Sequence, residues 1–105
     1  SVLSDLTDPA VISEHKSIAV FNATKQAQLA QKAARLITNL GGNVIITANA
    51  SQSFKKTQVQ GEQSLTLKRL RQIFDYDKID YTNEDIVSSR AQVNLFLGED
   101  YFNRN

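Results

Sequence analysis

The sequence predicts an α/β chain of the α+β kind, a two-layer sandwich in which two helices cover one face of a small mixed sheet. Three observations predict it. Ile18 to Phe21 is an unbroken apolar run, and Val44 to Ile46 is a second one, β-branched throughout. Between them lies a helical apolar period, so strand, helix and strand occupy about 30 residues, the size of a βαβ unit with parallel strands. Near the end, Val93, Leu95 and Leu97 alternate with Gln92 and Asn94, as a strand does. The order read from the chain is β-α-β-(β)-α-(β)-β, with a ferredoxin-like arrangement as the nearest named topology.

Each element has its own local cause. Asp8-Pro9 pairs an N-cap residue with proline at the first helical position, so a short helix is expected through Ala10 to Glu14. Residues 1–16 show no sustained period and read as an appendage or linker, leaving 17–105 as the domain. A strand at Ser17 to Phe21 that is apolar on both faces belongs in the centre of a sheet. From Lys25 to Leu40, residues Leu29, Ala30, Ala33, Leu36, Ile37 and Leu40 form one stripe, with Lys25, Gln28, Lys32 and Arg35 off it. Gly41-Gly42 stops that helix. Asn43 to Thr47 is the second strand, Asn49 to Lys56 a polar loop, and Thr57 to Gln60 a short edge strand. Leu67, Leu70, Ile73 and Phe74 define a second helix from about Gln63 to Phe74. A turn at Asp75 to Asn83, with a brief strand at Ile79 and Tyr81, precedes the final strand, Ala91 to Leu97, which breaks at Gly98.

Composition narrows the function classes. At 105 residues the chain fits one domain able to bury a core unaided. With 41% apolar residues, 4 glycines and 1 proline, it is neither collagen-like nor low-complexity. Its longest apolar runs fall far short of the roughly 20 residues that cross a bilayer. Cysteine is absent, which removes disulfides, thiolate nucleophiles and cysteine zinc sites. Methionine is absent as well and the chain opens on Ser1, so a processed or excised piece of a longer protein is expected. The net charge of +1 is unevenly spread. Between His15 and Gly61 there is no Asp or Glu, against Lys16, Lys25, Lys32, Arg35, Lys55 and Lys56, whereas Asp75 to Asp100 is acidic. Such asymmetry can mark an anion-facing surface, but folding that intermixes the two sets leaves only a solvated exterior, the simpler reading.

Catalytic constellations are poorly supplied. The single histidine, His15, lies in the appendage, and a Ser-His-carboxylate triad would have to recruit it from there; a solvated surface histidine is the simpler reading. Asp75, Asp77 and Asp80 begin like a calcium loop, but Ile79 stands where an oxygen ligand is needed and Asp80 where glycine is. Adjacent pairs Glu84-Asp85 and Glu99-Asp100 read as turn or cap residues rather than a glycosidase pair. The turn Asn22-Ala23-Thr24-Lys25 leaves a strand and opens a helix, the place where free amides meet an anion, but it has neither G-x-G-x-x-G nor a Walker pattern. Asn22 or Thr24 as the helix cap is the simpler reading. Lys55-Lys56 beside Phe54, and Lys68-Arg69 with Arg71, are too few cations for a nucleic-acid domain at this net charge. Asn22-Ala23-Thr24 and Asn49-Ala50-Ser51 also match the glycosylation triplet. No cofactor and no metal site is expected.

Several features together resemble one family. Val20-Phe21-Asn22-Ala23-Thr24, Leu29-Ala30, Leu36, Gly41, Val44, Asn49-Ala50, Thr57 and the closing Ala91-Gln92-Val93-Asn94-Leu95-Phe96-Leu97-Gly98-Glu99-Asp100-Tyr101 are similar to the LytR C-terminal domain. That module often follows the catalytic domain of LytR/CpsA/Psr cell-envelope proteins. The likeness spans about Ser17 to Tyr101, with Leu97-Gly98-x-Asp100-Tyr101 and the Val-x-Asn turn as its most specific parts. Ala23 stands where the family usually has glycine, Gln28 where glycine precedes Leu-Ala, and Gln92 where Asp is frequent. The resemblance implies a non-catalytic, extracytoplasmic bacterial module, tethered through an upstream membrane helix, that binds peptidoglycan, an anionic glycopolymer or an envelope protein. On this reading Asn22, Thr24, Lys25, Lys55 and Lys56 are the expected contacts. The alternative is an interaction or oligomerisation module acting through an exposed sheet edge near Thr57 to Gln60.

Overall fold

The computed structural model describes residues 7–74 and 90–104. Its elements are α1 (Pro9–Glu14), β1 (Ser17–Asn22), α2 (Leu29–Leu40), β2 (Asn43–Asn49), β3 (Gln58–Gly61), α3 (Leu65–Phe74), β4 (Val93–Leu97) and α4 (Glu99–Arg104). A strand apolar on both faces must have both covered, and β1 does: Ile18 to Asn22 are all buried. It lies inside a four-stranded mixed sheet of order β2-β1-β4-β3. β2 and β4 run parallel to β1, and β3 runs antiparallel to β4. The α+β class is therefore as the sequence indicates; the ferredoxin-like order is not established by this sheet. The brief strand expected at Ile79 and Tyr81 lies outside the described residues.

Alternation divides the strand residues between two faces. Ile18, Val20, Val59, Val93, Leu95 and Leu97 face the helix layer and meet Leu29, Ala30, Ala33 and Ile37 of α2 and Leu67, Leu70 and Phe74 of α3. Ala19, Phe21 and Phe96 face the other way, where Ile46, Ala50, Phe54 and Ala91 pack on them. Phe96 stacks on Phe21 at 5.0 Å between centroids and takes the edge of Phe54 at 5.9 Å. The small alanines of α2 bring that helix close to the sheet, whereas Leu36, read as part of its buried stripe, remains 43% exposed.

Helix ends explain where sequence and structure part. α2 begins at Leu29 rather than Lys25 because Gln28 is left-handed, with φ 69°, and makes no side-chain cap. It stops at Gly41, φ 104°, whose missing side chain also leaves room for Ile12 of α1. α4 has no counterpart in the sequence reading: Glu99-Asp100 open a helix, acids in its first turn where the helix dipole favours them.

The described part of segment 1–16 is bound into the helix layer. Asp8 Oδ1 accepts from the amides of Ala10 and Val11 at 3.0 and 3.4 Å, its Oδ2 accepts from Arg69 Nε at 2.6 Å, and its own amide donates to the Leu40 carbonyl. Glu14 caps α3, accepting from the amides of Leu65 and Thr66 at 2.8 and 2.6 Å and from the Thr66 hydroxyl.

The two sheet edges differ. β3 is an edge by position, but Gln58, Val59 and Gln60, expected to be exposed, are 1%, 0% and 7% exposed, and the Val59 carbonyl accepts from Arg71 Nε at 2.9 Å. β2 is the open edge, with Ile45, Thr47, Ala48 and Asn49 exposed and a bulge where Ile45 has no partner between Ile18 and Ala19.

Candidate functional site

Because β1, β2 and β4 are parallel, their carboxyl ends gather at one end of the sheet, the end where ligands bind in open α/β sheets. The loops leaving them are stitched together. Ala23 N–H donates to the Leu97 carbonyl, Ala50 N–H to Asn22, and Phe54 N–H to Ala23. Glu99 and Asp100 amides donate to the carbonyls of Phe54 and Lys55. A second latch closes the loop 50–57: the Thr57 hydroxyl donates to Asp100 Oδ1 at 2.6 Å and accepts from Gly98 N–H at 2.9 Å, and the Thr57 amide donates to the same carboxylate oxygen at 2.8 Å. A side chain at Gly98 would come within 2.6 Å of the Lys56 carbonyl oxygen, so the close crossing needs glycine.

The expected contact residues take distinct places. Asn22 is buried, and its side chain shapes the turn: Oδ1 accepts from the Thr24 amide and hydroxyl at 3.0 and 2.6 Å, and Nδ2 donates to the Gln26 carbonyl at 2.6 Å. It thus caps the turn and not α2. Thr24 is half-buried, its hydroxyl also accepting from the Gln26 amide at 3.1 Å. Lys25 is exposed on this turn. Lys55 and Lys56 are exposed on the loop tied to it through the Ala23 to Phe54 bond, and line a shallow depression of ≈ 200 Å³ with Ser53, Phe54 and Gln58. The structure therefore brings the two segments together at one end, with Asn22 buried, Thr24 half-buried and Lys25, Lys55 and Lys56 exposed.

Carboxylates are spent internally. The Arg69 side chain, then the amides of Val11 and Ala10, hold the Asp8 carboxyl below its ordinary range against the opposing effect of desolvation. The Thr66 hydroxyl, helped by the Leu65 and Thr66 amides, does the same for Glu14. Glu62 pairs with Lys16 at 3.1 Å and Asp100 holds Thr57. Among the described residues no three His, Cys, Asp or Glu side chains gather as a metal site would require, and no helix is long and apolar enough to cross a membrane.

Sequence reasoning did not find the Thr57–Asp100 latch, although both residues stood among those carrying the resemblance. Their spacing of 43 positions gives no local signal. Gln58 and Gln60, only two positions apart, are buried and bond each other through their side chains at 2.7 Å.

The α+β module thus has its strand ends latched together, with Asp8, Glu14, Glu62 and Asp100 engaged in bonds of the fold. The family model of the LytR cell envelope-related transcriptional attenuator matches residues 16–101. The chain belongs to that family and is a cell-envelope-associated module. Neither the curated proteins nor the solved structures searched include a match to it.

Proposed function

We propose that the module acts without catalysis of its own, on the extracytoplasmic side of the envelope and tethered through a longer chain, by binding a cell-wall polymer. Peptidoglycan carrying an anionic glycopolymer is the polymer in view. The observation that carries this reading is the disposition of charge: Asp8, Glu14, Glu62 and Asp100 are each engaged by a partner in the fold, whereas among the described residues Lys25 and Lys55 are exposed without a carboxylate partner. The Asn22 to Lys25 turn, held by its own hydrogen bonds, would offer Thr24 and Lys25 to a polar ligand beside Lys55 and Lys56. Retention of the purified chain on sacculi at low salt, lost as salt rises past the screening range, is the expected result. No retention at low salt would remove the proposal.

A second reading has its own support. The β2 edge is open and uncharged from Asn43 to Asn49, whereas Gln58, Val59 and Gln60 of β3 are buried and Arg71 takes the Val59 carbonyl. Interaction through a sheet edge would therefore use β2 and not Thr57 to Gln60. Light scattering over a range of concentrations tests it: mass that rises with concentration and falls back on Thr47→Lys supports edge pairing.

A further inference from the structure

The face with the least compensated positive charge is not the strand end, where Glu99 is exposed beside the loop that carries Lys55 and Lys56, but the outer side of α2. Gln28, Lys32, Arg35 and Asn39 follow one another at steps of four, three and four residues and form a single exposed ridge. From Gln28 to Asn39 the ridge runs about 16 Å, and Lys32 and Arg35 sit about 4.5 Å apart along it. Both are exposed, and among the described residues neither has an ion-pair partner. Lys25 adds a third cation just ahead of the helix. Among the described residues no acid pairs with the row. α2 packs on β1 and β2, and the chain from Lys16 to Gly61 holds no acid. The acid at the far end of the helix, Asp8, turns its carboxylate to Arg69. Cations held on a rigid helix within a screening length of one another, about 8 Å at physiological salt, act together on a ligand that is itself a row of charges.

We infer that the α2 ridge, with Lys32 and Arg35 at its centre, is the docking surface for a linear polyanion, a polymer with repeated phosphate or carboxylate groups belonging to the envelope. This rests on the polymer-binding reading above and moves its centre of contact from the strand end to the helix. Complementarity of charge selects the occupant. A membrane surface is a poor match, because a helix lying in a bilayer interface needs a broad apolar face, and that of α2 is already spent on the sheet. Leu36 alone is a large apolar group on the exposed side, between Arg35 and polar Thr38 and Asn39. Arg35 suits the role further, since a guanidinium can take two oxygens of one phosphate or carboxylate.

The test uses the 105-residue chain and two variants matched in charge, Lys32→Gln with Arg35→Gln, and Lys68→Glu on α3. Long-chain polyphosphate is the soluble probe, sacculi with and without their anionic polymers are the natural ones, and anionic phospholipid vesicles are the competing surface. The double α2 variant should lose about tenfold or more in affinity for polyphosphate and for intact sacculi, with a flatter dependence on salt as two contacts are removed. Lys68→Glu should stay within about twofold of the parent, because its change of net charge is the same but its place is not. Circular dichroism and the thermal midpoint check that each variant is folded. Equal losses in both variants, an unchanged double variant, or vesicle binding tighter than polymer binding would each overturn the ridge. An unchanged double variant on sacculi that still retain the parent removes the ridge alone. A parent that binds polyphosphate through the ridge but ignores sacculi removes the envelope-polymer reading alone.

Discussion

The two flanks of this sheet solve the same problem in opposite ways. On the β3 and α3 side, several polar groups are engaged within the fold: Arg71 takes the Val59 carbonyl, Glu14 takes the first amides of α3, and Asp8 takes Arg69. On the β2 and α2 side, the strand edge is bare, the helix start has no side-chain cap, and its cations have no acid within the surrounding sequence. Surface ion pairs of this kind contribute little to stability, so the difference is not mainly one of strength. It is a difference of availability: one flank is committed to the fold and the other is left for something else.

The largest expected effect breaks the comparison at its edges. A charge placed at Val59, fully buried in the helix-side core, should cost about 4 kcal/mol or more and leave the chain largely unfolded by circular dichroism. Next comes the latch at the strand ends. Thr57→Val removes the hydroxyl that joins Asp100 to the Gly98 amide in a buried setting, and should cost about 1 to 3 kcal/mol in urea unfolding. Smaller still, Asp8→Ala takes away the cap of α1 and the partner of Arg69, for about 1 kcal/mol by the same measurement.

The committed flank should also be acid-sensitive. Asp8 and Glu14 ionise more readily folded than their ordinary values of 3.8 and 4.5, so the unfolded chain binds protons that the folded one refuses. Their contribution is whole above those values and disappears as pH falls through the lowered folded ones. Thermal midpoints measured from pH 6 down to about 3 should fall more steeply for the parent than for Asp8→Asn with Glu14→Gln. The smallest effect is on the open side. Thr47→Lys on β2 should change stability by no more than about 0.5 kcal/mol, the contrast with Val59 that the two edges demand.

Legibility in the sequence followed the range of the forces involved. β1 and α2 were plain because a continuous apolar run and a 3.6-residue period are local signals, and both strands of the βαβ unit were parallel for the same reason. The start of α2 was misplaced by four residues because a left-handed Gln28 is set by the Asn22 turn and not by propensity. α4 escaped because Glu99-Asp100 read equally as turn or cap. Of the candidate contacts, Lys25, Lys55 and Lys56 were legible as exposed cations, but Asn22 turned out to be a structural residue whose polar atoms face its own turn. The burial of β3 and the Arg71 bond to its Val59 carbonyl, from 12 residues away, are visible only in the folded chain.

Amide chemical-shift mapping during titration with a soluble anionic envelope polymer tests the central claim most directly. The account predicts that perturbations gather on residues 25–39, strongest at Lys32 and Arg35 and fading as salt is added, with the amides of 63–72 on α3 unmoved. Shifts confined to α3, or shifts of equal size on both flanks, would contradict the division of labour between the committed and the available side.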